Sequence, residues 1–259
     1  SEFVQALEQD VAGGPRIARW LTGGSGGAVR TFADLNESSH EYQATYQLAL
    51  GAAGAGTIKT GALVRATSRD AQSLSYAISA RGASDAVREL PPEQLFDGRF
   101  STPTAALFSF GPLSQGGSYT ARDHLAAAFV MADLAVASRV RLAGGVRVER
   151  DLLDVQAAST LGAPVATSKR WDDLLPSLSL TVKLAGSQQL RVSASRTLAR
   201  PEYRELSPII SRDVVGGENL RGDETLQRTN VLNADVLWEA YPSTGEVLAI
   251  AAFAKRFTN

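Results

Sequence analysis

The chain of 259 residues contains no cysteine, two histidines and one methionine. Zero cysteines exclude disulfides, thiolate metal sites and a cysteine nucleophile. His40 and His124 stand far apart, without metal-ligand spacing. Long hydrophobic runs are missing as well. The longest, such as Leu125–Ala132 and Val247–Ala254, fall far short of the about 20 apolar residues a membrane-spanning helix needs. An excess of one charge is also absent: 26 Lys and Arg against 27 Asp and Glu leave a net charge of −1, so nucleic acid is not expected as a partner. "GGSGG" at 23–27 lacks the Gly-Lys-Ser/Thr ending of a phosphate loop and reads as a flexible loop. No cofactor and no enzymatic activity are expected.

What is present is alternation. In Glu41–Leu50, Tyr42, Ala44, Tyr46, Leu48 and Leu50 share one face, while Glu41, Gln43, Thr45 and Gln47 share the other. The same period of two marks Arg139–Arg150, Leu174–Leu184 and Thr229–Ala240. Weaker runs near 15–21, 57–67, 119–131, 189–199 and 246–257 bring the total to about nine strands. His124–Ala137 is alanine-rich and would suit a helix by propensity. Thr120, Arg122 and His124 alternate with Ala121, Asp123 and Leu125 on entry, which favours a hairpin. Val247–Ala254 is apolar on both faces, so its phase cannot be read.

The connectors alternate too. Short ones at Gly51–Gly56, Ala132–Ser138, Ala185–Gln188 and Tyr241–Gly245 interleave with long polar segments over roughly 22–39, 68–118, 151–172 and 200–226. Structureless loops above about 12–15 residues are uncommon in compact soluble domains. An up-and-down outer-membrane barrel has short turns at one rim and long loops at the other. The faces fit such a barrel. One face of each strand is uncharged, and the other carries groups such as Arg141, Arg147 and Glu149. A charge facing lipid near the midplane costs about 2–4 kcal/mol, whereas a charge facing a wet lumen meets water. Trp238 and Tyr241 flank a short turn, as in an aromatic girdle. A soluble antiparallel sheet with one wet face would show the same period, so the connector lengths decide. The expected fold is all-β: an antiparallel, up-and-down transmembrane β-barrel, partial, with about nine strands of a larger barrel.

Four segments, in order, resemble the barrels of TonB-dependent outer-membrane receptors. They are "YTARDHLAAAFVMADL" at 119–134, "RVRLAGGVRVERDLLDV" at 139–155, "WDDLLPSLSLTVKLAGSQQLRVSASRTLARPEYRELSP" at 171–208 and "GDETLQRTNVLNADVLWEAYPSTGEVLAIAAFAKRF" at 222–257. The resemblance covers 119–257, with 15–67 agreeing more loosely through pattern. It implies a barrel of roughly twenty-two strands around an N-terminal plug. The chain shows no plug, no partner-recruiting segment and no terminal strand ending in an aromatic residue. About nine strands would leave both edges of such a barrel open. Residues 1–259 are therefore expected to be an internal part of the barrel domain.

The implied function is energy-coupled uptake of a scarce nutrient of the siderophore, haem, cobalamin, saccharide or peptide class. The implied location is the bacterial outer membrane. The implied partners are outer-membrane lipid, a small-molecule ligand and the inner-membrane TonB energy-transducing complex, reached through the plug segment this chain lacks. Two alternatives stay open: a passive porin-like channel, and a β-rich surface binding module with the RGD at 221–223 as one contact.

Within the resemblance, residues 190–208 raise a specific question. Leu190, Val192 and Ala194 are expected to face lipid, and Arg191, Ser193 and Ser195 the lumen. Strict parity would put Arg196 and Arg200 on the lipid side, so a bulge near Arg196 is expected to shift the phase, with Pro201 ending the ladder. Arg191, Arg196, Arg200 and Arg204 are the candidate ligand contacts in lumen or loops. Phe96, Phe100, Phe108, Phe110 and Tyr119 offer aromatic anchors near the 68–118 segment, with loop packing as the plainer role. Glu149, Asp151 and Asp154 could gather around a calcium ion, although no calcium-loop spacing supports it.

Overall fold

The structure is a computed structural model describing residues 1–23, 26–51, 55–101, 106–160, 162–211 and 218–259. Residues 24 and 25 of the expected flexible loop lie outside the described residues. Three short strands come first: β1 (Glu2–Phe3), β2 (Gln5–Glu8) and β3 (Ile17–Trp20). Long strands β4 (Ala28–Leu50) and β5 (Gly56–Ala80) follow, then short helices α1 (Asp85–Arg88) and α2 (Pro92–Leu95). Next are β6 (Phe108–Ala137), β7 (Val140–Ser159), β8 (Val165–Lys183) and β9 (Gln188–Ala199). The short strands β10 (Ile210–Ser211) and β11 (Leu220–Arg221) precede β12 (Thr229–Ala240) and β13 (Leu248–Thr258).

One sheet runs in the order β1-β4-β5-β6-β7-β8-β9-β12-β13, every pairing antiparallel. This is the expected up-and-down all-β architecture, and the sheet is open. Among the described residues, β4 beyond Val29 and all of β13 pair on one side only. The alanine-rich 124–137 stretch lies inside β6, paired to β5 and β7 along its length. Hydrogen bonding on both sides outweighs its helix propensity.

The short connectors gather at one rim. Gly51, Gly186 and Gly245 sit there with φ of 65°, 70° and 88°, a left-handed conformation that a tight reversal needs and glycine adopts without strain. The connector expected at Ala132–Ser138 is tighter still, because β6 continues to Ala137 before β7 begins at Val140.

The register assigns faces. Ala44, Ala62, Ala128, Val148 and Leu174 align across β4–β8 on the outer face. Leu178, Ala194, Ala234 and Ala254 continue it to β13. The ladder therefore supplies the phase of 247–254: Leu248, Ile250, Ala252 and Ala254 face outward. On β7 this apolar belt covers Val140–Val148, close to the about 9–11 residues a spanning strand needs. At the short-turn rim, the Trp238 indole donates to Gln188 (3.2 Å) and Gln189 donates to the Tyr241 hydroxyl (3.3 Å), as an interfacial girdle requires.

Three expectations need correction. First, much of what reads as long loop is strand. β4 begins at Ala28, β5 continues to Ala80, β6 begins at Phe108, and β7 and β8 leave only 160–164 between them. Beyond the belt the outer face carries Asp34, Asn36 and Ser38 on β4, Asp70 and Gln72 on β5, and Asp154 and Gln156 on β7. On β4 and β5 both faces there are largely polar, and on β7 the polar residues move to the outer face, so the alternation of the belt fades or inverts although the backbone ladder persists. Second, the run near 15–21 forms β3, which pairs with β2 in a separate two-stranded sheet. The main sheet instead holds eight long strands, edged by β1. Third, no bulge occurs near Arg196: β9 pairs with β12 in unbroken register from Gln188 to Ala199.

Above the long-loop rim a second packed unit forms. Trp20 and Leu95, both fully buried, join Ala28, Ala80, Phe3, Phe100 and Phe108. Arg19 is buried beside them and anchored by Asp10 and Glu89, while Arg88 holds Glu8 and the Trp20 carbonyl. Phe100 and Phe108 pack into this core, while Phe96 lies edge-on to Trp20 and stays exposed.

Candidate functional site in the upper lumen

Toward the long-loop end the inner face changes from polar wall to packed floor. Tyr119 and Ala121 of β6, Leu153, Val155 and Ala157 of β7, and Trp171 of β8 form one apolar cluster. Segment 200–209 leaves β9 at Arg200 and folds over this floor, burying Leu206 and Ile209 against it. Pro201 offers the ladder no amide hydrogen, so pairing stops there. The chain then closes on itself: Leu206 N–H donates to the Glu202 carbonyl (3.2 Å) and Ser207 N–H to the Arg204 carbonyl (3.1 Å).

Beside the floor lies an ionic lattice. Arg200 meets Glu149 at 2.8 Å, Asp151 at 2.6 Å and Asp173 at 3.2 Å. Arg228, at the entry to β12, meets Asp173 at 2.7 Å, and Arg147 meets Glu149 at 2.6 Å. The Tyr203 hydroxyl donates to Asp123 at 2.7 Å, and Arg65 stands 3.5 Å from the same carboxylate. Arg69 pairs with Glu37 at 2.5 Å and lies 4.8 Å above the Tyr203 ring. Arg65, Arg69, Arg147, Arg200 and Arg228 thus offset Glu37, Asp123, Glu149, Asp151 and Asp173. The Asp151 and Asp173 side chains are 2% and 0% exposed, so removing one cation would strand a desolvated carboxylate. Burial, reinforced by Asp123, pushes the Tyr203 hydroxyl above the ordinary tyrosine range and keeps it a donor.

Next to Tyr203 opens a polar cleft of about 310 Å³, lined also by Glu37, Ser39, Arg65, Thr67, Arg69 and Glu202. Guanidinium donors, two carboxylates and an aromatic face converge there. Such a set suits a polar small molecule with hydrogen-bonding and planar parts.

Residues 8–259 match the family model for the TonB dependent receptor-like beta-barrel. The chain belongs to this family. Its members are outer-membrane receptors and transporters rather than enzymes. Among solved structures, the TonB-dependent barrel chain is similar to the ferric yersiniabactin uptake receptor FyuA from Yersinia pestis. The TM-score is 0.51 at 15% identity, covering 88% of this chain and 29% of that one. The siderophore receptor PiuA from Acinetobacter baumannii gives a TM-score of 0.49 at 12% identity, covering 86% of this chain and 32% of that one. The chain therefore spans about a third of the length of these receptors, and at 15% identity the likeness to FyuA is one of fold. Among curated proteins none matches.

Within this TonB-dependent barrel the four arginines of 190–208 are separated. Arg200 enters the lattice. Arg191 lies lower on the inner face, opposite Thr181 and Leu237. Arg196 is on the outer face and donates to Asn230 at 2.8 Å. Arg204 sits exposed on the folded-over segment. Tyr119 belongs to the apolar floor, and Phe110 is exposed at 67%. Glu149 and Asp151 face inward, but Asp154 faces outward and accepts from Ser168 at 2.6 Å, so the three do not gather around a cation. Sequence reasoning missed Arg65, Arg69, Asp123, Asp173, Tyr203 and Arg228. A signal existed for two of them: Arg65 and Arg69 stand four apart, on the inner side of a strand that continues beyond 67.

Proposed function

We propose that this chain is a section of the barrel wall of an outer-membrane receptor that takes up a scarce small-molecule nutrient by TonB-coupled transport. Residues 1–259 act as one part of the barrel domain, and a plug from elsewhere in the receptor fills the lumen. The observation that carries this is the family match over 8–259, supported by a sheet with two open edges. The cleft beside Tyr203, with Arg200 holding the segment that roofs it, supplies part of the ligand site. Arg204 lies on that same segment, and Arg191 lines the path below.

FyuA takes up ferric yersiniabactin and PiuA is a siderophore receptor, so ferric chelates are the first ligands to try. The test is uptake of labelled ferric chelates by cells carrying or lacking the receptor gene, with and without a protonophore. Uptake that needs both the gene and the proton gradient is expected. Gene-dependent flux that persists after the gradient collapses would replace this account with a passive channel.

A further inference from the structure

Arg196 has no place in the lumen. Its unbroken ladder sets it opposite Leu232 on the outer face, in line with Leu190, Val192 and Ala194. Arg256 of β13 is the other register partner of Leu232 and faces the same way. Two strand spacings separate the arginines, so their Cα atoms are about 10 Å apart and both side chains can reach one group above Leu232. Asn230, one step farther along the same face, accepts a hydrogen bond from Arg196 at 2.8 Å and orients it.

The surroundings separate this pair from other outward arginines. Arg150 is neutralised by Asp172 at 2.6 Å, and Arg122 stands opposite Asp154. The outer faces of β9, β12 and β13 carry no Asp or Glu. Directly below the arginines, Ala194, Ala234 and Ala254 lie side by side in register. Their small side chains leave a shallow apolar strip between Leu232 and the Val192–Val236 row. Two uncompensated guanidinium forks above an apolar strip complement an amphiphile with an anionic head and hydrocarbon tails.

We propose that Arg196, Arg256 and Asn230 form a site for the phosphorylated headgroup of an outer-leaflet lipid, with its acyl chains lying on the Ala194–Ala234–Ala254 strip. This rests on the outer-membrane location proposed above. The headgroup supplies the negative charge that this sector of the sheet lacks, so two arginines on a lipid-facing surface are stabilised and the barrel's depth is fixed at the outer interface.

The test is lipid retention by the full protein in detergent micelles, read by native mass spectrometry with bis-phosphorylated lipid A as the probe. R196Q/R256Q should weaken retention about tenfold or more, as expected for losing two charge-assisted contacts. R122Q should leave retention unchanged. Dephosphorylated lipid A should bind no better to the native protein than to the double variant, and inorganic phosphate should not compete. Equal retention by the double variant, or effective competition by free phosphate, would overturn the site. If the double variant fails to fold, R256Q on edge strand β13 carries the same test, with a smaller loss expected. A protein that needs no detergent to stay monodisperse would instead overturn the membrane location itself.

Discussion

Arg200 positions the segment that follows it, because three carboxylates from β7 and β8 converge on one guanidinium. Removing one partner of a buried ionic cluster costs about 3–5 kcal/mol. Arg200→Ala is therefore expected to lower the denaturation midpoint in detergent and to open 200–211 to proteases, while Arg200→Lys keeps part of the protection. Tyr203→Phe removes the hydroxyl that donates to Asp123 and should cost about 1–3 kcal/mol, with faster cleavage in the same segment. Unchanged proteolysis in all three would show that the lattice does not hold the segment. At this scale the sequence was partly legible. Pro201 marked the end of pairing, and the arginine run marked a family motif. The partners were not legible, since Asp123, Glu149 and Asp173 come together only through the register of three strands. The expected bulge failed for the same reason. It was inferred from the cost of a lipid-facing Arg196, whereas the ladder shows that residue at the rim of the belt.

Among the elements, the strands past the belt were hardest to read. On β4, residues 28–40 lose the apolar-polar contrast because water meets both faces, yet Ala28–Leu50 pairs in unbroken register with β5. Periodicity reports the contrast between two environments and is silent where the environments match. Inside the belt, where lipid and lumen differ, the strands of 41–50, 139–150, 174–184 and 229–240 were legible almost to the residue. The β2–β3 hairpin depends on different forces: Trp20 packing and the acidic clasp around Arg19. The Arg19 guanidinium holds the Asp10 carboxyl below the usual carboxylate range. A carboxyl lowered on folding contributes stability at neutral pH and loses it as pH falls through the folded value. Hydrogen-exchange protection of 5–20 should therefore decline below about pH 4, the unperturbed carboxylate range. Asp10→Asn should weaken the clasp at neutral pH and flatten that decline. A decline of the same size in Asp10→Asn would assign the pH response elsewhere.

The whole molecule is organised by one contrast, an apolar outer belt against a charged inner wall, with packed polar structure added at a single rim. Total backbone pairing is a requirement of any structure crossing lipid. Among the described residues the β4–β13 ladder meets it through most of its length, apart from the stretch where β8 and β9 part beyond Ser177–Ser195 and the two open edges, where further strands of the receptor complete the wall under the proposal above. Residues 1–259 contain no cysteine, so a thiol introduced among them has no native neighbour within this stretch and the central claim is directly measurable. Single cysteines at each position from 188 to 199, spin-labelled in the protein reconstituted into bilayers, should show alternating access to oxygen and to a water-soluble nickel reagent. Labels at 190, 192 and 194 are expected to be oxygen-accessible, those at 191, 193 and 195 nickel-accessible, and the label at 196 to mark the crossover to the polar rim. Uniform access to the nickel reagent along the whole strand would contradict a membrane-spanning barrel wall.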